Sequence, residues 1–165
     1  MIDIETLGKA PDGAIIQVGV VQFEEKILRS YGFDVKPLPQ QTLDYSTVRW
    51  WMEQVKSGVA FPRRSVVSLE HLLTTVLPRL MVEPCEVWAK PPSFDLVMLE
   101  WAYRAIGVKP PWSFRAHRCV RTLAQVCADK GGLVADPVGT HNAKEDAEAQ
   151  AEWVIDMQRA LGILR

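Results

Sequence analysis

Apolar and acidic residues alternate through Met1-Ile2-Asp3-Ile4-Glu5-Thr6. That period of two predicts a β-strand with Ile2 and Ile4 on one face and Asp3 and Glu5 on the other. A turn signal at Pro11-Asp12-Gly13 precedes Ala14 to Phe23, an Ile- and Val-rich second strand. The polar Glu24-Glu25-Lys26 leads into a third strand, Ile27 to Val35, hairpin-paired with the second. The period then lengthens to three and four. From about Ser46, with Thr47 near its start, Val48, Trp51, Met52 and Val55 predict a helix. Leu69, Leu72, Leu73, Val76, Leu77 and Leu80 predict another over Val66 to Met81, broken near Pro78. Glu86 to Ala89 is a short fourth strand, and Ser93 an N-cap for a helix from Phe94 to about Ile106. Ser113 to Cys119 is a weaker fifth strand, and Val120 to Lys130 a helix closed by Gly131-Gly132. The last helix runs from Ala143 to about Leu161. Asn142 caps it, Glu145 completes a capping box, and Ala147, Ala149 and Ala151 keep its near end slim.

Three strands followed by strands alternating with helices predict an α/β fold with a mixed sheet. No domain boundary is visible, so residues 1–165 are expected to form a single domain. Apolar residues make up 48% of the chain and charged ones 24%, an ordinary globular balance. A net charge of −1 does not point to a polyanionic partner, nor does it exclude one. Cys85, Cys119 and Cys127 have no C-x-x-C spacing, which suggests reduced thiols and a cytoplasmic protein. No apolar run reaches membrane-spanning length, so no membrane partner is expected.

Asp3 and Glu5 lie roughly 6.5 Å apart on one strand face. Like charges that close are unfavourable unless a cation sits between them. Alone, the pair reads as a solvated strand end. Asp95 stands in the first turn of one helix and Asp146 in the first turns of the last, each alone consistent with an acid facing the helix dipole. His141, five residues before Asp146, could lie near it from an extended lead-in. Gathered at one sheet edge, four carboxylates would call for a hard cation such as Mg²⁺ or Mn²⁺.

Asp3-Ile4-Glu5-Thr6, Phe94-Asp95 and His141-x4-Asp146 resemble, in order and spacing, the three exonuclease motifs of the DEDD superfamily. The histidine matches its DEDDh, DnaQ-like subclass. Ile4-Glu5-Thr6-Leu7-Gly8, Thr47-x2-Trp50-Trp51-x2-Gln54 and Arg121-Thr122-Leu123 are similar to the small phage and bacterial 3′-5′ exonucleases related to exodeoxyribonuclease VIII. The resemblance implies an RNase H-like fold: a central five-stranded mixed sheet of order 3-2-1-4-5, strand two antiparallel, flanked by helices. It also implies two divalent ions, roughly 3.5–4 Å apart, held by Asp3, Glu5, Asp95 and Asp146, with His141 as general base. The implied reaction releases nucleoside 5′-monophosphates from a nucleic-acid 3′ end. Single-stranded DNA is the first expectation and RNA the alternative; an inactive nucleic-acid-binding or polymerase-associated module is the rival from another class. The implied setting is bacterial or phage-infected host cytoplasm.

By the same resemblance, Thr6 and Leu7 border the terminal nucleotide. Trp50 and Trp51 cannot share one helix face, so one is expected in the core and one at the cleft; Trp50 is the candidate for base stacking. Arg104, Lys109, Arg115, Arg118 and Arg121 form an acid-free basic stretch that reads either as a phosphate-tracking surface or as a solvated face. Arg63 and Arg64 are a weaker version. A short chain with a Trp-rich helix is also compatible with a homodimer. Two departures stand out. Pro91 and Pro92 occupy a loop where relatives often carry glycine and cannot offer N–H donors, and Cys119 stands where relatives often carry an acid.

Overall fold

β1 (Ile2–Thr6), β2 (Ile15–Phe23) and β3 (Ile27–Lys36) form an antiparallel meander, with β2 and β3 hairpin-paired as the sequence predicts. The structure is a computed structural model describing residues 1–62, 67–81, 84–132 and 135–164. Arg63 and Arg64 lie outside the described residues. A two-residue strand, β4 (Val67–Ser68), adds in parallel to the far edge of β3. On the other side, β5 (Val87–Ala89) and β6 (His117–Cys119) pair in parallel with each other. β1 is laddered to β2 and packs against β5, so the acid-bearing strand is the edge of the four-stranded sheet that faces the second one. The result is an α/β fold with a mixed sheet, compatible with an RNase H-like fold. The order β3-β2-β1 is as expected. Past β1, the described residues form the separate β5-β6 sheet rather than one five-stranded ladder.

Alternation along β1 divides the core. Ile2 and Ile4 enter an apolar cluster with Val18, Val20, Leu72, Leu96, Leu99 and Tyr103, built on α4 (Asp95–Ala105) and the helical turns before it. The opposite cluster holds Val21, Trp88, Val120, Ala147, Ala151, Trp153 and Val154, from α5 (Val120–Asp129) and α6 (Ala143–Ala160). Helices therefore cover both faces of the sheet.

Several helix boundaries differ from expectation. α1 (Tyr45–Lys56) is capped by Asp44, which accepts the Thr47 N–H, so it begins one residue before Ser46. The predicted Val66–Met81 helix begins later, after β4, with Ser68 as its cap. It is also not broken at Pro78. α2 (Leu69–His71) runs into a π-helical turn, Leu72–Val76, and on into α3 (Leu77–Leu80). One widened turn precedes the proline, whose ring would otherwise meet the carbonyl four residues back. Ser93 caps nothing: α4 begins after Phe94, and the Pro91 and Pro92 carbonyls accept the Phe94 and Val97 N–H groups. The predicted fifth strand shrinks to β6, because Ser113 instead caps a 3-10 turn at Phe114–Ala116.

α6 starts at Ala143 under an Asn142 cap as predicted, though among the described residues the Glu145 side chain does not return a bond to complete the capping box. Asn142 Oδ1 accepts the Lys144 and Glu145 N–H groups. The helix meets β2 at Gly19, where an added Cβ would stand 1.9 Å from the Ala143 carbonyl oxygen. Only a residue without a side chain permits that approach. Gln17 ties the same corner, accepting the Ala143 N–H and donating to Asp34.

Gly19→Ala is expected to push the start of α6 off the sheet and destabilise the fold by on the order of 3 kcal/mol, high in the overpacking range because the obstacle is backbone. Urea unfolding of parent and variant measures it; an unchanged midpoint would show that α6 has room to spare.

Candidate active site

Asp3 and Glu5 leave β1 on the face that looks toward α6. The β1–β2 register shifts between Glu5 and Thr6, a bulge at the acid-bearing end of the strand. Such irregularities re-aim side chains beside sites. Asp95, the first residue of α4, is buried and its Oδ1 accepts the Ile4 N–H at 3.2 Å. That bond pins α4 to the backbone between the two β1 acids.

Asp146 is also buried, one turn into α6. Its Oδ1 accepts the Thr140 N–H at 2.7 Å and the Thr140 hydroxyl at 3.1 Å, and its Oδ2 accepts the His141 N–H at 3.1 Å. His141 has φ 61°, the left-handed region that histidine enters more readily than most side chains. The lead-in to α6 is therefore a turn closed onto Asp146 rather than an extended approach. It brings His141 back to the site, where one ligand atom each of Glu5, His141 and Asp146 all lie within 4.8 Å of one another.

The tryptophans divide as expected. Trp51 is buried and donates its indole N–H to the Thr6 carbonyl at 2.8 Å. Trp50 is 37% exposed and meets the His141 ring edge-on, centroids 4.8 Å apart. Trp51 also approaches His141 at 6.3 Å, so both rings flank the imidazole. Thr6 is buried, its hydroxyl donating to the Gly8 carbonyl. Half-buried Leu7 has both main-chain groups engaged, its N–H with Ala14 and its carbonyl with Asp44, which leaves its side chain for contacts.

Burial and mutual repulsion shift the acids. Glu5 is pushed up to about 8, chiefly by burial and then by the charges of Asp146 and Asp95. Burial lifts Asp95 to about 7, against the pull of main-chain N–H groups and of Arg121. Asp3 is held well above the usual carboxylate range by burial and by Asp95 and Glu5. Positive charge among these acids would relieve both the burial and the repulsion. Hard oxygen donors with one imidazole fit a divalent cation of the Mg²⁺ or Mn²⁺ type.

One participant escaped the sequence reading, and one residue named there acts in a way it did not assign. Gln150 donates its amide to Asp3 Oδ1 at 2.8 Å. Its spacing of four from Asp146 places it on the same helix face, a signal present in the sequence. Arg121 acts on Asp95 from the start of α5. The basic stretch itself is divided. Arg118 binds Glu86 at 2.8 Å and the Arg115 and His117 carbonyls, and His117 lies 3.0 Å from Glu100, whereas Arg104, Lys109, Arg115 and Arg121 are exposed.

A family model described as the 3′-5′ exoribonuclease Rv2179c-like domain matches residues 1–158 of the chain. No curated protein matches it.

Carboxyls raised in the native state hold protons that the unfolded chain, with acids near pH 4, has released. Their contribution is favourable at low pH and is lost as pH rises through about 7 and 8. Without divalent ions, the melting temperature is expected to fall between about pH 5 and 8, and Mg²⁺ or Mn²⁺ to raise it more at pH 8 than at pH 5. Fluorimetric melts with and without each ion check this; equal shifts at both pH values would count against ionised acids as the ligands.

Proposed function

Because the chain belongs to the Rv2179c-like 3′-5′ exoribonuclease domain family and is a metal-dependent 3′-5′ exonuclease, we propose that it releases nucleoside 5′-monophosphates one at a time from the 3′ end of RNA. Asp3, Glu5, Asp95 and Asp146 are the metal ligands and His141 the general base, as in the DEDDh subclass. The observation that carries this reading is the meeting of Glu5, His141 and Asp146 within 4.8 Å, although they come from opposite ends of the chain. Two divalent ions held by these carboxylates would supply Lewis-acid polarisation of the phosphoryl oxygens and a more acidic attacking water.

The reaction is hydrolysis. A water oxygen bonds to the terminal phosphorus, the bond to the 3′ oxygen of the preceding nucleotide breaks, and that oxygen leaves to be protonated. His141 accepts the proton of the attacking water, which suits an imidazole near neutral pH. The bond from its main-chain N–H to Asp146 fixes the backbone at His141, and the rings of Trp50 and Trp51 flank the imidazole. Thr6 and Leu7 border the terminal nucleotide, Trp50 offers an exposed ring for a base to stack on, and the exposed basic side chains attract the phosphate backbone.

RNA takes precedence over the single-stranded DNA expected from sequence because the family description names an exoribonuclease. DNA remains the second reading, favoured by the likeness of the Ile4–Gly8 and Thr47–Gln54 segments to the exonucleases related to exodeoxyribonuclease VIII. Matched 3′-labelled RNA and DNA oligonucleotides are expected to show faster mononucleotide release from RNA; a preference for DNA would reverse the order of the two readings.

Asp3→Ala or Asp146→Ala is expected to abolish turnover with the circular dichroism spectrum preserved; hydrolysis at the parent rate by either would sink the assignment of the acids. His141→Ala is expected to slow turnover on the order of 10²–10⁴-fold, with part of the loss recovered at higher pH. A parent-like rate at neutral pH would remove His141 as the base.

A further inference from the structure

Gln150 sits one helical turn beyond Asp146 on α6 and is only 8% exposed. Its amide Nε2 donates to Asp3 Oδ1 at 2.8 Å. Its carbonyl Oε1 is buried and has no hydrogen-bond partner among the described residues. A buried amide carbonyl without a donor is unfavourable by about 1–3 kcal/mol, and folded proteins rarely leave one so. Turning the amide over gives no relief. Oε1 would then face the Asp3 carboxylate, and Nε2 would be the orphan.

The acids whose charges act on Asp3 are Asp95, Glu5 and Asp146, all acceptors when ionised. With an ion bound they are ionised and none of them donates to Oε1, and no other described residue does, which leaves a molecule from outside the chain as the donor. In an acid cluster suited to a divalent cation, the available donor is a water of the ion's hydration shell, which Mg²⁺ in particular gives up reluctantly.

We propose that Gln150 is a positioning residue of the metal centre. Its N–H holds one oxygen of Asp3 and leaves the other to ligate the ion, while its buried carbonyl accepts a hydrogen from an ion-bound water. Carboxylate ligands are commonly held by such outer partners, and losing one typically weakens metal binding 10–100-fold. The proposal rests on the metal-site reading above. A glutamine serving only to fill the space between α6 and β1 would not need its carbonyl left open.

Gln150→Met in the full chain keeps length and helix preference while removing both amide groups. Mn²⁺ binding is measured by isothermal titration at pH 8 without substrate, beside the metal-free melting temperature. The variant is expected to fold as the parent does, to bind Mn²⁺ about tenfold more weakly, and to recover turnover as Mn²⁺ is raised. Parent-like Mn²⁺ affinity would overturn the proposal. If the Met variant does not fold, Gln150→Ala is read by the same titration with the same two outcomes. Asp3→Asn separates the two levels of the argument. Loss of Mn²⁺ binding in Asp3→Asn beside parent-like binding in Gln150→Met rejects the role of Gln150 alone; unchanged binding in both rejects the metal site itself.

Discussion

Four carboxylates share the acidic end of β1, and the fold must hold them together against their own repulsion and the loss of water around them. It does so with hydrogen bonds that need no cation. The Ile4 main chain holds Asp95, the turn before α6 holds Asp146 through Thr140 and His141, and Gln150 holds Asp3. Burial and neighbouring charge raise the acids together, and positive charge would relieve them.

That shaping depends on how closely α6 can approach the sheet. Gly19 lets the Ala143 carbonyl come within the space a side chain would fill. From there the helix carries Asp146 and Gln150 over β1, while the turn preceding it carries His141. On the far side, Trp51 links α1 to Thr6 and Trp50 covers the imidazole edge. Fold and chemistry are joined at these few contacts, so a change in packing at β2 is felt at Asp146, a long way along the chain.

Much of this was legible in the residues. The two-residue period marked β1, the run of Ile and Val marked β2, and the polar turn at Glu24–Lys26 marked β3 as its hairpin partner. Asn142 marked the start of α6 because its side chain competes for the first helical N–H groups. What failed was local and short. Two residues of β4 are too few to show a period. Ser93 and Ser113 are equally good caps by composition, yet only Ser113 caps, because proline carbonyls already serve the start of α4. Pro78 reads as a helix breaker until a single π-turn absorbs it.

By itself the sequence determined the chemical inventory and its order: acids alternating with isoleucine on the first strand, an acid at the start of α4, and a histidine five residues before an acid on α6. These follow from residue type and from the periods of 2 and 3.6, which are local properties of the backbone. Only the tertiary structure decided which of them meet. The Asp3–Gln150 bond spans 147 positions and the Ile4–Asp95 bond 91. The left-handed turn at His141 and the sorting of Trp51 inward and Trp50 outward depend on the same packing. Contacts of that kind are set by how closely helices and sheet approach, and that distance is a property of the packed whole rather than of any segment.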